Sequence, residues 1–421
     1  MRIFKFGGAS VKNAEALQNV AEIVKSYDES LIIVVSAIDK TTNALEEVWN
    51  HFLLRDSKKL EESTQKVIKF HIDIINEIHL NKDDEFMLKI KDSIQAFKSR
   101  IKKDPSDNAA YEYDQIVSFG ELWSTMIISG YLNLTGIQNK WLDARRLIRT
   151  SNHYQEARVN WDKTQQLIQL EINKSPEKKR DLFLTQGFIG HTDTGMTTTL
   201  GREGSDFSAS ILAWCVNAEE VLIWKDVEGV LNADPKEFND TIKLDKISYK
   251  EAIELSYFGA SVIHPKTLKP LQNKGIALRI KSFIAPDLEG TVIQEEEDKD
   301  GLLPCYIYNP NQLLLSISPK DFSFILEDHI SEIFKLFSIH GLKVHLTQNS
   351  ALSFSVCAKI KKAMLKSLIE ELNVKFNIKY NEKVDLLTIR HYSDHKFPDK
   401  LKKKEILIKQ RSRSTLRYVL R

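Results

Sequence analysis

Residues 31–35 read Leu-Ile-Ile-Val-Val, an unbroken aliphatic run. Such a run leaves no polar face for water, so it suits a strand covered on both sides, as in a parallel sheet. The residues before it fit that reading. Ile3 to Phe6 is a short apolar-rich segment closed by Gly7 and Gly8, and Val11, Leu17, Val20, Ile23 and Val24 then form a periodic stretch. Strand, glycine turn, helix and buried strand make a βαβ unit. The alternation continues for nearly 300 residues. A long helical pattern runs from Thr42 to Lys102, with Val67, Phe70, Ile74, Ile75 and Ile78 in one stripe. Residues 115–133 read as an apolar helix, 181–184 as a strand entering a Gly-rich loop, 206–216 as a helix and 220–224 as another buried strand. Helices follow at 248–258 and 266–272. This order predicts an α/β domain with an open, mainly parallel sheet and helices on both faces.

The pattern changes after the charged, apolar-free run Glu295 to Gly301, which reads as a linker or an exposed turn. Strand 312–317, helix 329–340, strands 341–346 and 351–356, helix 361–372 and strands 385–391 and 405–409 follow a ferredoxin-like β-α-β-β-α-β order. The expected division is therefore 1–297 and 298–421, and a chain of 421 residues is long enough for two or three domains. Sixty basic and 58 acidic residues leave a net charge of +2, which gives no reason to expect nucleic acid or a membrane as the main partner. Cys215, Cys305 and Cys357 stand far apart with no CxxC pair, so neither a zinc site nor a disulfide framework is indicated. No apolar run is long enough to span a bilayer, and MRIFKFGG lacks the apolar core and cleavage site of a signal peptide. The expected location is the cytoplasm.

Four constellations carry chemistry. In Lys5-Phe6-Gly7-Gly8-Ala9-Ser10 a strand delivers a lysine to the sheet edge and two glycines turn into a helix N-terminus. Glycine lets the backbone approach an anion, and the exposed N–H groups donate. Taken alone, two glycines after a strand are a tight turn. Residues 185–206, TQGFIGHTDTGMTTTLGREGSD, form a Gly- and hydroxyl-rich loop ahead of a helix that Ser205 or Asp206 can cap. Within it Arg202 can clamp a carboxylate through two parallel hydrogen bonds. In WKDVEGVLNADPK (224–236) a strand ends at Lys225-Asp226, and ligands of open α/β sheets sit beyond strand carboxyl ends. Asp226 and Lys236 there are candidate nucleotide contacts or ordinary turn residues. Glu121, in Ser118-Phe119-Gly120-Glu121, either complements a helix dipole or reads a substrate ammonium group. His71, His79 and His153 read as surface or packing residues, and His264 as a turn element beside Pro265.

Together these segments resemble the aspartate kinases of the amino-acid kinase family. The resemblance rests on KFGGAS (5–10), VVSAIDKTTN (34–43), SFGE (118–121), TQGFIG (185–190), TTTLGREGSD (197–206), WKDVEGVLNADP (224–235) and FGASVIHP (258–265), in order along the chain. It implies the amino-acid kinase fold with C-terminal ACT domains, two of them intertwined. It also implies transfer of a phosphoryl group from ATP, with Mg2+ held mainly by the nucleotide, to the β-carboxylate of L-aspartate. That reaction opens lysine, threonine and methionine biosynthesis. Lys5 and Asp206 match the catalytic positions. Thr42, Glu121, Phe188, Arg202 and Ser205 match aspartate-site positions. Lys5, Gly7, Gly8, Lys225, Asp226, Leu231 and Lys236 match the nucleotide side. Lysine or threonine as a feedback ligand, and a homo-oligomer, follow by the same resemblance.

Several positions depart from the family pattern. Glu203 stands where relatives carry the first glycine of a pair, Lys225 replaces a threonine, Leu231 an aromatic residue, Lys236 an arginine and Ser261 a lysine. Lys225, Lys236 and Lys281 are the candidates for restoring the positive charge. In the ACT region His345 stands at an acidic effector position and Ala351 replaces a Glu. The expected site is a cationic, glycine-backed pocket. Two alternatives stay open: a sister kinase acting on another carboxylate or on UMP, and a non-catalytic amino-acid-binding regulator.

Overall fold

The computed structural model describes residues 1–174, 180–260, 263–295, 303–321, 323–392 and 397–421. The charged run expected to link two regions lies largely outside these residues, as does Ser261.

The described chain divides into two compact units, Met1–Val230 with Lys243–Ile253 and Ile263–Asp300, and Leu231–Ile242 with Glu254–Val262 and Gly301–Arg421. The first is built on an eight-stranded sheet in the order 246–248, 291–294, 277–282, 220–225, 2–6, 31–35, 182–186, 140–142. Every neighbouring pair is parallel except 277–282 with 291–294. Leu31–Val35 is buried at all five positions, as its composition requires, and so is Leu182–Gln186. Strand Arg2–Phe6 lies between Glu220–Lys225 and Leu31–Val35, with Lys5 opposite Ile223 and Val34.

Alternation along that strand decides what each face does. Phe4 and Phe6 join a core with Leu17, Val20, Leu45, Val48, Ile75, Trp123 and Ile127 from the flanking helices. Lys5 points the other way, toward helix Gly204–Val216, which is buried along most of its length. Because neighbouring strands are parallel, the carboxyl ends of 2–6, 31–35, 182–186 and 220–225 share one edge, and the glycine turns and loops leave from there. The long helical stretch after residue 41 is three helices, Thr41–Leu53, Ser57–Glu77 and Asp84–Ile101. The apolar segment 115–133 falls across two, Ala109–Val117 and Phe119–Leu134, broken at Ser118. His71 is a packing residue, buried against Phe70 and Trp123.

The second unit carries a six-stranded, wholly antiparallel sheet ordered 343–349, 354–359, 305–319, 376–390, 415–420, 406–411. From Cys305 to Arg390 the elements run strand, helix Glu327–Ile339, two strands, helix Lys362–Leu372, strand. That is the ferredoxin-like order read from the sequence. The helices cover Leu313, Leu315, Ile317, Val356 and Phe376 through Ile333, Phe337, Leu368 and Leu372. The strand expected at 312–317 extends over Cys305–Pro319, and the one expected at 385–391 over Phe376–Arg390; they pair along most of their length. Strand Thr415–Leu420, with no counterpart in the sequence reading, pairs with Ile406–Arg411. Among the described residues no helix is long and apolar enough to cross a membrane.

Candidate active site

Lys5 lies near the carboxyl end of strand Arg2–Phe6, and its Nζ is 2.5 Å from Asp206 Oδ1. Both are buried, Lys5 to 8% exposure and Asp206 to 4%. An ion pair so placed gains from the weak screening around it, and removing either partner strands the other. Asp206 owes its position to the first turn of helix Gly204–Val216. The sequence reading had Ser205 or Asp206 as the cap; instead Glu203 occupies the cap position, with no side-chain cap bond, and both residues lie inside the helix.

A cleft of about 820 Å³ opens above this pair. Lys5, Gly7, Gly8, Thr42, Glu121, Phe188, Arg202, Ser205, Asp206, Lys225 and Asp226 all line it. Leu231 and Lys236 belong to the second compact unit. Gly8 is required for packing: a Cβ there would lie 2.7 Å from Asp39 O and 2.9 Å from Ala37 O. Ser10 Oγ donates to Trp224 O at 3.1 Å and ties the turn to the neighbouring strand. Lys281 Nζ sits over the Trp224 ring, 5.4 Å from its centroid.

Glu121 is strongly displaced electrostatically. It is 2% exposed, and its Oε2 accepts no hydrogen bond from the described residues. Burial pushes its pKa up to about 8, against the opposing pull of the backbone N–H groups of Glu121 and Ala37. Of the two readings of this residue, dipole partner or reader of an ammonium group, the unpaired oxygen at the cleft favours the second. Arg202 is exposed on its loop, with no ion-pair partner among the described residues. It is free to meet an incoming carboxylate.

The pocket differs from expectation in charge. Lys5, Arg202 and Lys225 are its cations, whereas Glu46, Glu121, Glu156, Glu203, Asp206 and Asp226 are its carboxylates. Several of these are already engaged. Tyr113 donates its hydroxyl proton to Glu46 Oε1 at 2.8 Å, and Glu203 Oε2 accepts from His264 N at 2.9 Å.

Sequence reasoning missed Trp49, Asn50, Tyr113, Gln155 and Glu156, which also line the cleft. They arrive from helices and loops remote in sequence, and no local pattern marks them. It also missed Asp114, buried beneath the site. Its carboxylate accepts from Gln155 N (3.1 Å), Thr199 N (2.9 Å) and Thr199 Oγ1 (2.7 Å), joining the loop at 155 to the hairpin of Ile189–His191 and Thr197–Thr199. Burial raises the pKa of Asp114 to about 6. Phe188 stands at φ 67°, a conformation that a bulky side chain adopts only where surroundings impose it. A Cβ on Gly204 would lie 2.6 Å from the Phe188 ring, so the two loops fit closely.

Among the described residues no three His, Cys, Asp or Glu side chains cluster to hold a metal ion.

Known proteins match this arrangement. The amino acid kinase family matches residues 1–282. A chloroplastic bifunctional aspartokinase/homoserine dehydrogenase 2 of Arabidopsis thaliana is 32% identical over 304 residues, covering 71% of this chain and 33% of that protein. The chain thus spans about a third of the length of its bifunctional relatives. Lysine-sensitive aspartokinase 3 of Escherichia coli K12 is 29% identical over 356 residues, covering 84% of this chain and 77% of that protein. Among solved structures, E. coli aspartokinase III in complex with lysine and aspartate superposes with a TM-score of 0.85 at 25% identity, covering 100% of this chain and 95% of the other. The same enzyme with aspartate and ADP gives 0.81 at 26%, covering 100% and 96%. The family match spans the whole parallel sheet except its last strand, and the chain belongs to the amino acid kinase family.

Proposed function

We propose that the chain is an aspartate kinase, transferring the terminal phosphoryl group of MgATP to the β-carboxylate of L-aspartate. The observation that carries the reading is the buried Lys5–Asp206 pair on the floor of a cleft that also presents Arg202 and Glu121. Arg202 is assigned the α-carboxylate and Glu121 the α-ammonium group, with Thr42, Phe188 and Ser205 shaping the space between. The nucleotide side falls to Gly7, Gly8, Lys225 and Asp226, which line the same cleft. The E. coli relative solved with aspartate and ADP supports the same pair of ligands.

The β-carboxylate is ionised at neutral pH, so it attacks the γ-phosphorus without a general base. The P–O bond to the β-phosphate breaks and ADP leaves with the electron pair. Lys5 neutralises charge on the transferred group, while Asp206 holds the lysine in place. The acidic excess of the cleft suits a nucleotide that arrives with its magnesium, which the phosphates and water coordinate.

The remaining assignments accompany this reading. They are a catalytic region at 1–297, an ACT regulatory region at 298–421 with lysine or threonine as feedback ligand, a homo-oligomer, and a cytoplasmic location in keeping with Cys215, Cys305 and Cys357 being buried and outside any disulfide. The test is coupled ADP release with aspartate, glutamate, N-acetylglutamate and UMP as acceptors, together with hydroxylamine trapping of the acyl phosphate. Aspartate alone should give both signals. Turnover only with another acceptor, or amino-acid binding with no nucleotide binding by calorimetry, would overturn the proposal.

A further inference from the structure

Glu203 sits at φ 51°, ψ 31°, the left-handed region where a side chain is strained and glycine is not. Here the side chain makes a contact that glycine cannot. Glu203 Oε2 accepts from the backbone N–H of His264 at 2.9 Å. His264 is itself fixed, because its Nδ1 accepts from Lys266 N at 3.2 Å and caps helix Pro265–Gln272. Lys266 then reaches back to the same loop. Its Nζ donates to Leu200 O at 2.7 Å and lies 4.6 Å from the centroid of the Phe207 ring. Attachments from one helix start therefore fall on both sides of Arg202 in sequence.

Resting on the aspartate-kinase reading above, we propose that Glu203 is a positioning residue whose carboxylate latches the substrate loop to the start of helix Pro265–Gln272 and so presets Arg202 for the amino acid's α-carboxylate. An exposed arginine on an untethered loop must be ordered by the substrate at the moment of binding, and that ordering weakens affinity. A latched loop is ordered beforehand. The reacting β-carboxylate and phosphate meet at Lys5, which none of the latch bonds involves, so losing the latch should affect saturation by the amino acid more than turnover.

Three variants separate the causes. Glu203→Gln keeps an acceptor for the His264 N–H and removes only the charge. Glu203→Ala removes the acceptor and keeps the strain. Glu203→Gly removes both. With melting curves confirming folded protein, Glu203→Ala and Glu203→Gly should each raise KM for aspartate roughly tenfold with kcat within about twofold, and Glu203→Gln should stay within about twofold in both. Amide exchange at His264, read on the ligand-free protein, should quicken in Ala and Gly and stay slow in Gln. A Gln variant as impaired as Ala, a Gly variant with the native KM, or unchanged His264 exchange in Ala would each overturn the latch. The exchange measurement needs no substrate, so it judges the latch even if the wild-type protein proves inactive toward aspartate.

Discussion

The two units solve the problem of burying a sheet in opposite ways. In the first, Leu31–Val35 and Leu182–Gln186 are buried at every residue, and their neighbours run in the same direction. In the second, all strands alternate in direction, and the edge strands Lys343–Asn349 and Ile406–Arg411 keep much of their length exposed. A parallel sheet directs its carboxyl ends to one edge, where loops from distant parts of the chain converge. An antiparallel sheet sends its ends both ways and gathers no such edge. The difference teaches why quotable motifs crowd the first 265 residues while the second unit is legible only as alternation and helix stripes.

Experiments can strain that contrast. Lys5→Ala should be the most damaging change, lowering turnover on the order of 10³-fold in the coupled ADP assay by removing charge stabilisation from the transferred group. Near-native turnover would end the role given to Lys5. Phe337→Ala hollows the core of the second unit, where the ring is fully enclosed, and should remove about 3 kcal/mol from the stability of that unit in denaturant unfolding. Should the amino-acid affinity of the cleft fall as much as it does on altering cleft residues, the two units are not energetically distinct. Arg202→Ala should weaken aspartate saturation by about 2 kcal/mol, roughly thirtyfold, by deleting a charged hydrogen-bond donor. Stability of the second unit should not follow.

The smallest effect is a pH dependence. Glu121 has its folded-state pKa raised to about 8 from an ordinary value of 4.5, so the folded protein keeps a proton that the unfolded chain releases between those values. Stability of the ligand-free protein should therefore fall as pH rises from about 4.5 to 8 and level off above. Glu121→Gln should flatten that part of the profile in thermal melts. Binding of an amino acid whose ammonium group meets Glu121 should release a proton, visible as buffer-dependent heats in calorimetry at pH 7. A profile unchanged by the substitution would refute the buried neutral acid.

Legibility in the sequence follows the range of the forces involved. Leu31–Val35 and the Gly7-Gly8 turn were readable because burial on both faces and a tight turn each leave a local signature. Arg202, Asp206 and Glu121 were readable through the family resemblance, and the structure brings them to one cleft. Glu203 and Phe188 in left-handed conformations were not, because neighbours from other segments impose them. Tyr113, Gln155 and Glu156 reach the cleft through tertiary packing, and Asp114 holds two loops from underneath without any motif of its own. Part of the carboxylate excess in the cleft was hidden for the same reason, since Glu46 and Glu156 come from outside the quoted motifs.

The chain crosses between its compact units repeatedly: residues 231–242 and 254–262 belong to the second, with 243–253 returned to the first between them. A gene fusion or a deletion that treats residue 300 as a seam would leave both of those excursions attached to the wrong fragment, stripped of the strands they fold with. Moving the second unit elsewhere would mean grafting three separate stretches together, 231–242, 254–262 and 301–421.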